Sequence, residues 1–485
     1  MRVFAFFASQ PAESPVGSDI EVPPIAAARL RTRNRFAVVA TTGHFLLFWL
    51  IAILLQLSAG AYHTELAGYP DEPSHYVTGL MIRDYIVSGF PTSPIAFAKE
   101  YYSHYPKVAF GHWPPFFHTL EALWMMFFTE SRTSILALMA LFTALSATIL
   151  TLWFAKLFGH ISLILVGLIW VSLPAIQEET SMVMLEMLFA AVTLLAVAAL
   201  DRYLVKPSGD NALRLGLLTL LSIMTKGNGW LMVPAIFVAL VVAGKFRLVF
   251  DRSMWVVAGI TAIAIPEQLL TARSVVAALP EQIGIGYFMQ SLFGFTLMAW
   301  QIVGPAVCLL VLLGLTAELV LPILHRRPIN PAAATMTGLL CRFVLLHCIV
   351  PAGVEPRKLI VALPAILYFA LSGATRALAM ARLGASVFPS STAAALMLAA
   401  MIVTGRIGHI PQNQGTGSHR ERSEVATMPS RGSYPERPRS RGLESRRQQC
   451  SATTNATLSF EDSRCWHNLT GMPATTNPAI TLSTR

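Results

Sequence analysis

Apolar runs near or above 18 residues recur along this chain of 485 residues. Each is long enough to cross a hydrocarbon core of roughly 30 Å. In lipid, only helices and closed barrels satisfy the polar groups of the backbone internally. The period-2 alternation that a barrel strand needs is absent. The expected fold class is therefore all-α, a polytopic membrane protein. Charged residues make up only 13% of the chain, against roughly 25% in soluble proteins.

The runs predict about eleven transmembrane helices, at 36–61, 133–155, 160–176, 181–200, 212–225, 228–244, 253–271, 292–317, 332–350, 358–375 and 385–404. The fifth is short enough to be half of a broken helix. Arg29, Arg31, Arg33 and Arg35 precede the first run. Basic residues mark the cytoplasmic side, so 1–35 reads as a cytoplasmic segment and the first run as a retained anchor. Lys156, the 201–214 turn, the 245–252 turn and Arg326-Arg327 then fall inside. The loop at 62–132, the turns at 177–180, Lys226 and 351–357, and the 272–291 stretch fall outside. This places the chain in the cell's inner membrane as a multi-pass protein. The basic residues behind the net charge of +10 lie in loops and tail, which gives no footprint for nucleic acid.

Within the 62–132 loop, Val77, Leu80, Met81 and Tyr85 recur at helical spacing and Gly89 ends the run, which predicts an amphipathic surface helix. A second segment opens at Trp113-Pro114-Pro115. Its fifteen or so residues are short for a crossing, so it reads as re-entrant or interfacial. After about residue 405 the chain turns rich in Arg, Ser, Thr, Pro, Asn and Gln. Such a tail cannot bury a core, and the change fits a disordered tail, a frameshift or a truncated outer domain. The domains expected are thus 1–35, a membrane domain at 36–404 and a tail at 405–485, the tail outside. Five cysteines include no CxxC pair.

The residues able to carry chemistry gather at the outer ends of the spans. Asp71 and Glu72 sit in GYPDEPSHY just past the first run; they are either helix-start acids, favoured by the macrodipole, or catalytic carboxylates. Glu178 and Glu179 follow the third run. Glu186 lies inside SMVMLEMLFAA, where an acid is costly and therefore a functional candidate. Lys226 in TKGNG, and Arg357 and Lys358 in VEPRK, are outer-side cations that run against the positive-inside trend and suit an anion. His112 is placed to donate a hydrogen bond to a phosphate. The chain contains no Asp-x-Asp, P-loop, HExxH or GxSxG pattern.

Four motifs, in order, resemble the GT-C superfamily of integral-membrane glycosyltransferases, in its protein mannosyltransferase and aminoarabinose transferase branch. They are PDE at 70–72, GHWPPF at 111–116, Glu186 and TKGNG at 225–229, with PAGVEPRKLIVALPAILYF resembling the late span that opens on a basic turn. The resemblance covers about residues 36–375. Two departures stand out. Tryptophan separates His112 from the proline pair, and Glu186 stands where the family more often has aspartate.

The resemblance implies a polyprenyl-phosphate-linked sugar as donor and a lipid, glycan or protein as acceptor, among membrane lipids. Asp71, Glu72 and Glu186 would be the catalytic acids. Lys226, Arg357 and His112 would hold the donor phosphate. No cofactor is required; scattered acids can hold a divalent metal without demanding one. A leaving phosphate needs cations, and an attacking hydroxyl needs a carboxylate base. The rival classes are a transporter or flippase for an anionic or lipid-linked substrate, and an inactive homologue.

Overall fold

The computed structural model describes residues 24–403 apart from 65, 67–68, 109–110, 159–163, 270–283, 351–352 and 382–388. The 1–35 segment that the sequence suggests is cytoplasmic falls in part, before residue 24, outside the described residues, and so does the tail from 404 onward. Among the described residues every regular element is helical. The chain is a polytopic helical membrane protein. Among the described residues five helices are long and apolar enough to cross a membrane. They are Val39–Ser58 within α1 (Pro24–Ser58), then Arg132–Phe158, Glu186–Val205, Pro305–Leu324 and Leu363–Met380.

Between the first two lie α2 (Asp71–Val87), α3 (Pro94–His104) and α4 (Phe116–Phe127). Helix α2 begins and ends where the sequence places it. It starts on the Asp71-Glu72-Pro73 turn and stops before Gly89, which adopts φ 74°. Its buried face, however, includes His75, Thr78 and Gly79 as well as Val77 and Leu80, and is applied to α4. A Cβ at Gly79 would meet the Glu121 carboxyl of α4, which would have to shift to admit it. Helix α4 has 12 residues, about 18 Å at 1.5 Å per residue, too short to cross.

After α5 (Arg132–Phe158), the run expected at 160–176 is broken. It appears as α6 (Ile164–Ser172) and α7 (Pro174–Thr180), because Pro174 lacks the N–H that would continue the first helix. Next come α8 (Glu186–Val205), α9 (Gly209–Thr225), α10 (Met232–Val242) and α11 (Arg252–Ala262). The short fifth run is not half of one long helix. Lys226 is extended, Gly227–Leu231 forms a 3₁₀ turn, and the chain reverses. Gly229 lies so close to the backbone of Ser222 and Ile223 that a Cβ would collide with it.

The reversal sorts the turns onto two ends. Lys226 meets Glu186 at the start of α8, while Lys245 reaches the Leu204 carbonyl at its end. Near that same end, the hydroxyls of Tyr203 and Ser253 lie 2.7 Å apart.

The single run expected at 292–317 is two helices, α12 (Ile285–Val303) and α13 (Pro305–Leu324). Gly304 at φ 85° breaks the first, and Pro305 starts the second. The chain closes with α14 (Pro331–His347), α15 (Pro356–Leu359), α16 (Leu363–Met380) and α17 (Pro389–Val403).

Small residues set the closest helix approach. Cβ atoms at Gly314 of α13 and Gly373 of α16 would fall onto the Phe369 and Leu310 carbonyl oxygens respectively. This is the small-residue contact by which membrane helices associate. Replacing Gly373 with Val should therefore cost about 1–3 kcal/mol, the usual range for overpacking, read as a lower melting midpoint in detergent. Gly259→Ala, where nothing lies within 4 Å, is the control. Equal midpoints for the two variants would contradict the close contact.

Candidate active site

Asp71 and Glu72 are adjacent in sequence and point into different surroundings. Glu72 is fully buried. Its Oε1 accepts from Arg132 Nη2 at 2.9 Å, Arg132 Nε at 3.2 Å and the Val183 backbone at 3.1 Å. Arg132 also donates to the Ala61 and Thr64 carbonyls. This brace joins the ends of α1, α2 and α5 to the 181–183 turn. Sequence reasoning grouped Glu72 with the catalytic acids, whereas the fold uses it to hold α2 in place. A carboxylate buried in this way survives only because the guanidinium and an amide saturate it.

Asp71 is half-buried and faces the other cluster. Its Oδ2 accepts from Arg357 Nη1 at 3.0 Å. The Arg357 guanidinium also donates through Nε to Glu355, lies 3.8 Å from Glu186 Oε1 and covers the Tyr69 ring at 4.3 Å. Lys226 Nζ donates to the same Glu186 oxygen at 2.8 Å. Tyr69 donates to Glu355 Oε2 at 3.1 Å, and Lys358 reaches Glu355 Oε1 at 3.3 Å. The structure thus unites Asp71, Glu186, Lys226 and Arg357, residues up to 286 positions apart. Each stands at or beside a helix start or a turn, where backbone reversal brings distant spans together.

Below them a pocket opens between α8, α14 and the 357–361 stretch. It is lined by Glu186, Phe189, Lys226, Arg342, His347 and Arg357 among others. Glu186 Oε2 is buried there and has no hydrogen-bond partner. His112 stays apart. Its ring stacks edge-on against Trp113 at 4.6 Å between ring centroids. Burial lowers its pKa while the Asp71 charge opposes the shift, which puts the two side chains within electrostatic reach.

The charges shape one another. Burial would raise the Glu355 pKa, but the Arg357 and Lys358 charges prevail and hold it below the usual carboxylate range. Burial likewise opposes charge on Arg357, and the Glu186 and Glu355 carboxylates more than offset it. Burial pushes Tyr69 up to about 12. Glu179 behaves differently. Burial and then the neighbouring Glu186 charge push it well above its ordinary value, and its Oε2 is buried with no hydrogen-bond partner. Among the described residues no group of three or more His, Cys, Asp or Glu is placed to hold a metal ion.

Sequence reasoning missed two residues of this region. Glu355 was seen only as part of the basic turn. Arg342 was counted silently within an apolar run, although an ionisable residue inside a span is itself a functional signal.

No protein-family model matches the chain, and no curated protein sequence matches it. Among solved structures, the chain is similar to ArnT from Cupriavidus metallidurans bound to undecaprenyl phosphate, at 17% identity and a TM-score of 0.45 over 75% of this chain and 70% of that one. It is also similar to ArnT from the same organism in the apo state, at 16% identity and a TM-score of 0.43 over 78% and 75%.

The state of Glu179 has a measurable consequence. A carboxyl whose folded pKa is raised contributes stability while it is protonated and loses it as pH rises above the unfolded value, here about 4.5. From that point upward the wild-type melting midpoint should fall relative to Glu179→Gln, which stays neutral. Parallel melting curves from pH 4 to 8 would show that Glu179 is ionised in the folded protein.

Proposed function

We propose that this chain is a membrane glycosyltransferase that moves a sugar from a polyprenyl-phosphate donor to a hydroxyl of a lipid, glycan or protein acceptor. The observation that carries the reading is the direct bond between Asp71 and Arg357 at the mouth of a pocket that also holds Lys226. It joins a carboxylate to the cations that a leaving phosphate needs. The four motifs that resemble membrane glycosyltransferases support it, since the three bearing Asp71, Glu186 and Lys226 converge on this cluster while His112 remains beside it.

The chemistry follows from the geometry. A donor phosphate entering the mouth competes with Glu186 for Lys226 and with Asp71 for Arg357. Arginine binds phosphate through paired N–H bonds, so its engagement releases the Asp71 carboxylate. The freed carboxylate accepts the proton of the acceptor hydroxyl as that oxygen attacks the anomeric carbon. The bond from this carbon to the phosphate oxygen breaks, the electron pair leaves with the polyprenyl phosphate, and Lys226 and Arg357 stabilise the charge that develops. A single displacement of this kind inverts the anomeric centre. Glu355 and Tyr69 hold the Arg357 fork in position. The basic turns at 201–214 and 245–252 lie toward the opposite end of the bundle, and with the positive-inside trend this supports a reaction at the outer face.

Asp71→Asn keeps size and removes the base. Transfer should fall roughly 10²–10⁴-fold, the range of a lost general base, measured with labelled polyprenyl-phosphate sugar in proteoliposomes. Near-normal turnover would return Asp71 to the role of a helix-start acid.

A further inference from the structure

Arg342 stands in the same pocket as the cations described above but lacks their partners. It lies on α14, is 1% exposed and lines the pocket with Glu186, Lys226 and Arg357. Its Nη1 meets the Met232 sulfur at 3.0 Å, its Nη2 meets the Asn228 carbonyl at 3.4 Å, and its guanidinium carbon sits 5.3 Å from the centroid of the Phe189 ring. Among the described residues the ion pairs use Arg83, Arg132, Lys226, Arg357 and Lys358, and none uses Arg342. A thioether, one long carbonyl contact and a ring face poorly satisfy a group with five N–H donors. Retaining such a charge inside a membrane domain is costly.

The charge around the cavity is one-sided. Lys226, Arg342, Arg357 and Lys358 line it, and among the described residues Glu186 is its one acid. Glu186 is already engaged by Lys226 at 2.8 Å and approached by Arg357 at 3.8 Å. Arg357 and Lys358 both have Glu355 beside them. The charge left without an offset is that of Arg342. The cavity is also small, about 20 Å³, which is room for a single water-sized species. That size excludes a sugar, a phosphate or a carboxylate group. A water fits but carries no charge. A single-atom anion, little larger than water, both fits and offsets a guanidinium. The other walls suit an ion that sheds its hydration readily, since Phe189, Leu231, Phe343 and Leu346 supply apolar surface.

We propose that Arg342 anchors a halide site, in which one chloride ion lies against its guanidinium. Arg342 packs on Phe189, which follows Glu186 by one turn of α8, about 4.5 Å at 1.5 Å per residue. The ion therefore sits deeper in the bundle than the Glu186–Lys226 pair and supplies the counter-charge that the protein does not. It leaves Lys226 and Arg357 with their carboxylates, so this assignment stands independently of the donor reading above.

The test follows the melting midpoint of full-length protein in detergent as potassium chloride replaces potassium gluconate at constant ionic strength. Gluconate is too large for the cavity. An ion that binds only the folded protein stabilises it in proportion to the logarithm of site occupancy, so the wild-type midpoint should climb by about 2–4 °C, the response of a large domain to a modest stabilisation. Bromide should act as chloride does, and Arg342→Gln should lose the response to both. No climb in wild type, as expected if a water fills the cavity, overturns the assignment. An equal climb in Arg342→Gln overturns it too, because the halide then acts elsewhere. Should that variant fail to fold, crystals of the wild type grown in bromide decide the matter through anomalous scattering. A bromide peak in contact with the Arg342 guanidinium supports the site, and the lack of a peak there overturns it.

Discussion

The site depends on one guanidinium. Arg357 pairs with Asp71 and Glu355, approaches Glu186 and covers the Tyr69 ring. Among these groups Asp71, Glu186 and Glu355 balance Lys226, Arg357 and Lys358, so the mouth of the pocket is held by charges that satisfy one another. In a partly buried setting such pairs are stronger than at a free surface, but they are also exchangeable. A phosphate offers the same cations more negative charge, and its arrival leaves a carboxylate free. On the proposed reading, binding and activation of the base are one event, which would confine proton abstraction to the donor-loaded protein.

Two neighbouring acids illustrate how the fold divides labour. Glu72 is buried and fully engaged with Arg132 and the Val183 amide. Asp71, one residue earlier, remains half-buried and bonded to a group that a ligand can reach. The first fixes the angle at which α2 leaves the end of α1, and the second is thereby aimed at the pocket. Helix periodicity makes this possible, because successive residues point about 100° apart around a helix of 3.6 residues per turn.

Much of this was legible in the sequence, and the parts that were not have physical reasons. Long apolar runs announce membrane helices, since lipid leaves the backbone no alternative. Charges at span ends announce a site, since a bilayer penalises them elsewhere. Asp71, Glu186, Lys226 and Arg357 were singled out this way, and the fold brings them together through alternating helix direction. The sequence did not reveal that Glu72 faces Arg132, because adjacency in a chain is silent about which way each side chain turns. The breaks at Leu173-Pro174 and Gly304-Pro305 were read as continuous runs, because hydropathy averages over a single proline or glycine. Arg342 was hidden by its apolar neighbours, although an arginine in such a run is the signal itself.

The central claim is that phosphate and Asp71 compete for Arg357. The direct measurement is the affinity of polyprenyl phosphate for wild type, Asp71→Asn, Arg357→Gln and the double variant, in nanodiscs at fixed ionic strength. Competition predicts that Asp71→Asn binds more tightly than wild type, that Arg357→Gln binds more weakly, and that the gain from Asp71→Asn vanishes once Arg357 is gone. Unchanged affinity in Asp71→Asn, or the same gain with and without Arg357, would contradict it.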